Sequence, residues 1–475
     1  MNTIEKAKNI FILGIKGVAM AHLAIIRSEM GKHVTGADVD EIFKTDVLLQ
    51  IHNLKVQIGF DPQTLPKETD LVIYSAAHGG LENPLIQEAK KRNVTILSQG
   101  EVLGELSSYC KHTIAICGTH GKTTTSSMLA YALIKLGVKP SFMVGTPKFN
   151  EYEGSAYGDK EYFVIEADEY GVNPPLDKAA KFLFLNPDTI LCTNIDFDHP
   201  DVYDSLDTVK DTFRSFFTKA NNLIVCGDDI NALETAKHSG KKFKTYGFSE
   251  KNDIQIKEFR TTSDGTELTL LIENKPHKFY TTLWGEKNSS NTAGVISVLL
   301  QYGFSSSEIQ KAIQYFTGAQ RRFELLYKTN DIFLFDDYAH HPAEIKATIE
   351  SARRRYPNKI LRVIFQPHTF SRTKMFLKEF AEALVLADTA YILPVFSSAR
   401  EKGSEFNVTS QDIVAQAKIL GKTNIQTYDT KEGLLEELTK VIGANEVIFT
   451  MGAGNVYELG DDIIKVIHAH HTEKR

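Results

Sequence analysis

The sequence predicts an α/β protein arranged as three successive α/β domains, and three observations carry that reading. A strand, a glycine-bearing loop and a helix follow one another through Ala115-Ile-Cys-Gly-Thr-His-Gly-Lys-Thr-Thr-Thr125. Apolar strand-like runs alternate with helical stretches along the chain. Two of those runs end abruptly in acidic residues, at Glu166-Ala-Asp168-Glu169 and at Asp198-His199. A length of 475 residues leaves room for roughly two to four domains with sizeable cores.

The first domain is expected over residues 1–109. Asn9-Ile-Phe-Ile-Leu-Gly14 reads as a short apolar strand ending in glycine. A helix is predicted from about Val18 to Met30, and Val34-Thr-Gly-Ala-Asp38 forms the next strand. An acidic residue after the second strand of a βαβ unit is the arrangement of a Rossmann-like nucleotide-binding half. The loop Gly14-Ile-Lys-Gly17-Val-Ala lacks the later glycines of the dinucleotide fingerprint, so a plain structural βαβ unit stays open. Leu71–Ser75 and a helix through Ile86 to Arg92 continue the alternation.

The second domain is expected over residues 110–318 and opens on the phosphate loop. Gly118 and Gly121 let backbone N–H groups close around phosphate oxygens, and the following helix adds its dipole. Lys122 is placed to reach the outer phosphates, and Thr123 or Thr124 offers a hydroxyl to Mg²⁺. The helical pattern runs from Ser126 through Leu136. Ile116 stands where the common motif has its first glycine, so the loop is P-loop-like, with an ordinary glycine-rich turn as the alternative. The motif assigns a nucleoside triphosphate as ligand.

Tyr162–Glu166 and the run from Ile190 are further strands of this domain. Ligands of an open parallel sheet sit outside the carboxyl ends of its strands, so Glu166, Asp168, Glu169, Asp198 and His199 should converge on the phosphate loop. If the strand continues to Asp168, alternation puts Glu166 and Asp168 on one face. A hard cation such as Mg²⁺ prefers such oxygen ligands; a solvated acidic loop is the alternative. Residues 254–282, with alternation such as Leu268-Thr-Leu-Leu-Ile272, look like an antiparallel insert.

The third domain is expected over residues 319–475, with strands at Asp331–Asp337, Ile360–Phe365, Thr389–Leu393 and Glu446–Met451. His340-His341 follows the first of these, and Gln366-Pro-His368-Thr-Phe-Ser-Arg372 follows the second. Histidine and arginine gathered on adjacent strand ends suit an anionic ligand. A satisfied turn pair is the other reading of His340 and His341. Arg321-Arg322, at the expected junction, is either a hinge pair that closes on phosphate or carboxylate or a surface basic pair.

Composition excludes several classes. A formal charge of −6 gives no general attraction to nucleic acid or anionic membrane. No apolar stretch approaches the length of a membrane span. Met1 to Lys8 is expected to lead straight into a strand without a signal-peptide core. Cys110, Cys117, Cys192 and Cys226 show no metal-type spacing, and Cys117 and Cys192 read as buried thiols. There is no internal repeat. A reduced, cytoplasmic enzyme is expected.

The motifs resemble, in their order and over nearly the whole chain, those of the ATP-dependent Mur ligases. They are Gly118-Thr-His-Gly-Lys-Thr-Thr124, Glu166-Ala-Asp-Glu169, Asn194 with Asp198-His199, Asn288 with Asn291, Arg321-Arg-Phe-Glu324, Asp336–Pro342 and Gln366–Thr373. The resemblance implies a first domain for a UDP sugar, a central ATPase and a third domain that brings the amine. It implies the cofactors ATP and Mg²⁺, with UDP-N-acetylmuramate and L-alanine as substrates joined through an acyl phosphate.

Residue by residue, it implies ATP contacts from Gly118, Thr119, His120, Gly121, Lys122, Thr123 and Thr124, with Asn288, Asn291, Arg322 and Asp337 completing the nucleotide site. Lys122, Glu166 and His199 become the catalytic set, and Thr123, Glu166 and His199 hold magnesium. Gly14, Gly17, Asp38, His341, His368 and Arg372 serve the sugar-nucleotide substrate. Lys16, Lys287 and Thr369 depart from the family's usual pattern at their positions. The stretch Glu169–Pro175, with Asp177-Lys178 and Lys181-Phe182, leans toward the related ligation of a murein tripeptide, L-alanyl-γ-D-glutamyl-diaminopimelate, to the same sugar nucleotide. An oxidoreductase, suggested by Gly14 and Asp38, leaves the phosphate loop unexplained. A P-loop switch leaves the third domain's histidines and arginines without a purpose.

Overall fold

The computed structural model describes residues 3–262, 264–397 and 406–473. The chain divides into two compact units, Met1–Ala319 and Gln320–Arg475. A short helix α1 (Thr3–Lys6) precedes β1 (Asn9–Leu13), so the lead-in is helical; Met1 and Asn2 lie outside the described residues.

In the first unit, β1 is followed by α2 (Val18–Glu29), β2 (His33–Asp38), α3 (Asp46–Ile51), β3 (Lys55–Ile58) and β4 (Leu71–Tyr74). Then come α4 (Pro84–Lys91), β5 (Thr95–Ser98) and α5 (Gln99–Leu106). The five strands form a parallel sheet in the order β3-β2-β1-β4-β5. Helices cover both faces of such a sheet, so β1 and β4 read as unbroken apolar runs and are buried.

A second sheet of ten strands continues the unit. Its first part is β6 (His112–Cys117), α6 (Lys122–Lys135), the hairpin β7 (Ser141–Phe149) and β8 (Tyr152–Ala156), and β9 (Tyr162–Glu166). A small separate hairpin, β10 (Gly171–Asn173) and β11 (Asp177–Ala180), precedes β12 (Thr189–Cys192). The rest is α7 (Leu206–Phe217), β13 (Asn222–Cys226), α8 (Ile230–His238), β14 (Phe243–Gly247), β15 (Ile254–Thr261), β16 (Thr266–Ile272) and β17 (Lys275–Thr281), then α9 (Glu286–Gln301) and α10 (Ser306–Ile313). The order is β17-β16-β15-β14-β13-β12-β6-β9-β7-β8. From β6 the chain builds first toward β7 and β9, then toward β12, so β6 lies at the switch point where α/β sheets bind ligands.

Two sequence expectations change here. The helix after the phosphate loop begins at Lys122 and not at Ser126. Thr125 Oγ1 donates to Gly121 O at 2.8 Å and Ser126 Oγ to Thr123 O at 3.2 Å, so these hydroxyls bond within the first turn instead of breaking it. Residues 254–282 are antiparallel as expected, through β15, β16 and β17, but they are no insert, because β15 pairs in parallel with β14 and extends the main sheet to its edge.

The two sheets of this unit share one core. Ile25 and Leu23 of α2 and Leu103 of α5 belong to the same buried cluster as Phe163, Phe182 and Phe213. The β7–β8 hairpin packs against α2 so closely that a Cβ on Gly154 would collide with Thr146 O and the His22 ring. His52 Nε2 meets Glu153 Oε2 at 2.7 Å, and Tyr157 N donates to Glu29 Oε2 at 2.7 Å across the same seam.

The second unit holds β18 (Glu324–Lys328), β19 (Ile332–Asp337), α11 (Pro342–Arg355), β20 (Ile360–Phe365), α12 (Phe370–Met375), α13 (Leu377–Leu384) and β21 (Thr389–Ile392). Then follow α14 (Ser410–Ile419), β22 (Ile425–Thr427), α15 (Lys431–Val441), β23 (Glu446–Met451) and α16 (Leu459–Glu473). The strands order as β18-β19-β23-β20-β21-β22, parallel except for the antiparallel edge β18. The four cysteines are free thiols, three of them buried. Among the described residues no helix is long and apolar enough to cross a membrane.

Candidate active site

The phosphate loop sits at the carboxyl end of β6 and is braced by the residues that follow β12. Thr119 N donates to Asn194 O at 3.1 Å, His120 N to Asn194 Oδ1 at 2.9 Å, and Asn194 Nδ2 returns a bond to His120 O at 2.8 Å. Gly118 has φ +129° and Gly121 φ +86°, conformations that L side chains rarely adopt. A Cβ on Gly121 would also come within 2.9 Å of Asn291 Oδ1, which places that amide of α9 against the loop. Asn288, a turn earlier on α9, donates to Trp284 O at 2.9 Å.

Lys122 points back into the loop. Its Nζ donates to Gly118 O at 2.6 Å, Thr119 O at 3.2 Å and the two carboxylate oxygens of Glu169 at 3.0 and 2.8 Å. Burial works against the ammonium charge, but Glu169, Asp168 and Glu166 outweigh it and hold the Lys122 pKa above its ordinary value. Burial lifts the Glu169 carboxyl above its ordinary range, against the pull of Lys122. Glu169, the carboxylate partner of Lys122, is absent from the site residues assigned from sequence. Its acidic run was visible, but only the fold shows which carboxylate takes the lysine.

β9 ends at Glu166, so the condition for Glu166 and Asp168 sharing a strand face is not met. Glu166 instead turns toward α6. It accepts from Thr123 Oγ1 at 3.2 Å, Ser126 Oγ at 3.4 Å and Gly145 N at 2.8 Å. Asp168 accepts from Lys181 Nζ at 3.0 Å. Burial opposes its ionisation, yet Lys181, Lys122 and His199 hold the carboxyl well below the usual carboxylate range. His199, at φ +59°, sets Nε2 3.8 Å from both Glu169 Oε1 and Asp198 Oδ2 and packs edge-on against Tyr170 at 5.0 Å. A hydroxyl and a carboxylate 3.2 Å apart at a helix N-terminus are the hard oxygen donors that Mg²⁺ takes, with phosphate completing its shell. Thr123 and Glu166 therefore fit the expected metal, whereas His199 stands beside Glu169 and Asp198.

In the first sheet, Gly14 and Gly17 form the turn between β1 and α2, with Gly14 at φ +75°. Asp38 is buried and receives Lys16 N at 2.7 Å, Val39 N at 2.8 Å and His78 Nε2 at 3.1 Å. Burial raises its carboxyl, but these hydrogen bonds prevail and leave the pKa lowered. Lys16 does not extend over the turn. It donates to Val39 O at 3.0 Å and Glu41 O at 2.7 Å, so the substitution in this loop is absorbed by the β2–α3 connection.

In the second unit, Asp337 accepts from Phe323 N at 3.1 Å and Ala339 N at 2.8 Å. Burial pushes its pKa up to about 6, opposed by Arg322. The paired arginines have different positions. Arg321 is buried, bonded to Asp336 at 2.9 Å and to Gly452 O at 2.6 Å, and held between the rings of Tyr338 and Tyr457. Arg322, half-buried, also lies over the Tyr338 ring at 4.9 Å. His341 caps α11 through Ala343 N and meets Phe376 edge-on. His368 stacks on Phe396 at 5.6 Å, its backbone oxygen accepts from Arg372, and His340 lies 6.3 Å away ring to ring. His340, His368 and Arg372 thus come together at the ends of β19 and β20. Thr369 occupies φ +70° just before α12.

Comparison with known proteins agrees with this geometry. The Mur ligase family catalytic domain matches residues 9–110, the Mur ligase middle domain 116–299 and the Mur ligase glutamate ligase domain 321–454. A UDP-N-acetylmuramate–L-alanine ligase of Desulfitobacterium hafniense (strain Y51) is 32% identical over 96% of this chain and 99% of its own. The structure of a UDP-N-acetylmuramate–alanine ligase from Thermotoga maritima superposes with a TM-score of 0.81 at 25% identity, covering 97% of this chain and 99% of that one. A murein peptide ligase from Psychrobacter arcticus 273-4 shares the fold, with a TM-score of 0.74 at 24% identity over 97% of this chain and 98% of that one. The chain belongs to the Mur ligase family.

Proposed function

We propose that this protein is an ATP-dependent ligase that joins L-alanine to the lactyl carboxylate of UDP-N-acetylmuramate, in the cytoplasmic synthesis of peptidoglycan precursors. The observation that carries the reading is the phosphate loop, with Lys122 among three carboxylates, in a chain aligned end to end with ligases of that activity.

The carboxylate oxygen attacks the γ-phosphorus of ATP, the bond to the bridging oxygen breaks, and ADP leaves. The alanine amine then attacks the acyl carbon, phosphate departs, and the nitrogen loses a proton to give the amide. Phosphoryl transfer between anions depends on positioning and charge neutralisation more than on covalent help from the protein. Lys122 meets the charge that builds on the transferring group. Gly118, Thr119, His120, Gly121, Thr123 and Thr124 offer the loop's amides and hydroxyls, Asn288 and Asn291 of α9 serve the nucleotide in the same unit, and Arg322 and Asp337 are the nucleotide-binding residues of the second unit. Thr123, Glu166 and His199 would hold Mg²⁺, which would offset phosphate charge. Gly14, Gly17, Asp38, His341, His368 and Arg372 bind the sugar nucleotide. By role the chain divides at 1–109, 110–318 and 319–475.

The tripeptide reading rests on the Tyr170–Pro175 stretch, which supplies β10 of the separate β10–β11 hairpin beyond Glu169. Relatives over the full length favour alanine. ADP release measured with UDP-N-acetylmuramate, with and without an amine, separates a ligase from an oxidoreductase or a switch. The ligase requires both substrates for full turnover. Turnover indifferent to either would remove the assignment.

A further inference from the structure

Lys181 lies outside every role assigned above. It opens a 3₁₀ turn, Lys181–Phe184, whose backbone is tied down by Lys181 N donating to Tyr170 O at 3.0 Å and Phe182 N to Asp168 O at 3.1 Å. The turn packs on α5 so tightly that a Cβ on Gly104 would strike Phe184 O. The ammonium is therefore held on a rigid segment. Its side chain is 11% exposed, 3.0 Å from Asp168 and 5.3 Å above the Tyr170 ring, which also meets His199 edge-on.

What remains exposed of Lys181 faces a cavity of about 100 Å³. Ala19 of α2 and Gln99 of α5 border it from the first sheet, and Glu166, Asp168 and Lys181 from the second. The cavity thus runs from the turn that begins α2 to the carboxylate beside the phosphate loop. Of the three carboxylates at the end of β9, Glu169 is paired with the Lys122 ammonium on the loop side and Asp168 with the Lys181 ammonium, which lines the cavity together with Glu166. An acid that is to be phosphorylated must bring its own negative charge up to Glu166. Like charges at that range repel, so the approach needs a cation on the cavity side.

We infer that Lys181 is a substrate-binding residue that receives the carboxylate to be phosphorylated, with Asp168 holding it in position. The inference rests on the ligase reading. As that oxygen bonds to the γ-phosphorus and ADP leaves with the bridging oxygen's electron pair, Lys181 keeps its proton and stays paired with the acyl group. Lys122 attends the phosphoryl side.

The test is steady-state ADP release by the full chain with UDP-N-acetylmuramate, ATP and L-alanine. Lys181→Met should raise the KM for UDP-N-acetylmuramate at least about tenfold, as expected for losing a charged contact, and leave the KM for ATP nearly unchanged. Lys181→Arg should recover part of the loss. A purely structural lysine predicts something else: Lys181→Met would merely leave Asp168 without a counter-ion, and adding Asp168→Asn would restore the wild-type KM. Substrate binding predicts that the double variant stays defective. Thermal melts confirm folding, and Lys181→Arg serves if the methionine variant is unfolded. A restored double variant, or a wild-type KM in Lys181→Met, overturns the inference alone. A wild-type protein that releases no ADP in response to UDP-N-acetylmuramate overturns this inference and the ligase reading together.

Discussion

Lys122 Nζ stands 2.8 Å from Glu169 Oε2 and 2.6 Å from Gly118 O, so the lysine of the phosphate loop is folded into its own loop by a carboxylate. A γ-phosphate must compete with Glu169 for the same ammonium. This pairing holds the charge in place, and on the proposed function Glu169 would yield it to the transferring group.

Replacing that ammonium removes the charge that meets the phosphoryl group. Lys122→Ala should cut turnover by about 10²-fold or more while the protein still melts cooperatively. Paired measurements of ADP release and thermal unfolding check this, and near-normal turnover by a folded variant refutes it.

The proposed function assigns Glu166 and His199 to magnesium. Glu166→Gln and His199→Ala should each lower the rate and shift the magnesium dependence to higher concentration. Titration of ADP release against Mg²⁺ is the measurement. Unchanged curves for both would reduce them to loop residues.

The seam between the first two sheets has a position that tolerates no side chain. A methyl group at Gly154 would collide with Thr146 O and His22. Gly154→Ala should destabilise the first unit by about 1–3 kcal/mol or more, the cost of forcing atoms into a packed interior. Denaturant unfolding of both proteins reads the difference, and equal midpoints would contradict the packing.

His22 is fully buried at that seam, and burial lowers its pKa from 6.5 to about 4, against a weak contribution from Val144 that raises it. The folded state therefore binds fewer protons than the unfolded chain between those values. Its contribution is complete above pH 6.5 and is lost as pH falls toward 4, to a limit of about 3 kcal/mol. Unfolding free energies of wild type and His22→Leu should converge or cross as pH drops from 7 to 4.5. A constant difference across that range would sink the assignment.

How much of this was legible in the sequence depends on how local the signal is. β1 and β6 are buried on both faces, so they read as unbroken apolar runs, and the glycines of the phosphate loop marked the turn that follows β6. The start of α6 was not legible, because a Thr-Thr-Thr-Ser run resembles a loop until its hydroxyls are seen bonding within the helix. The partner of Lys122 was not legible either. Three carboxylates lie within four residues, and the end of β9 decides which turns to α6, which to Lys181 and which to Lys122. Arg321 and Arg322 looked alike in sequence. Only the fold shows that Arg321 is buried against Asp336 and Gly452 while Arg322 is half-buried over the Tyr338 ring.

The central claim is tested most directly by the mass of the product. The protein is incubated with ATP, Mg²⁺ and UDP-N-acetylmuramate, in parallel with L-alanine or with L-alanyl-γ-D-glutamyl-diaminopimelate. A pocket fitted to one methyl group excludes a tripeptide on steric grounds. The account predicts that the sugar nucleotide gains one alanine residue, with one ADP released per amide, and that the tripeptide gives no adduct. An adduct with the tripeptide alone would contradict the alanine assignment, and no adduct with either amine would contradict the ligase itself.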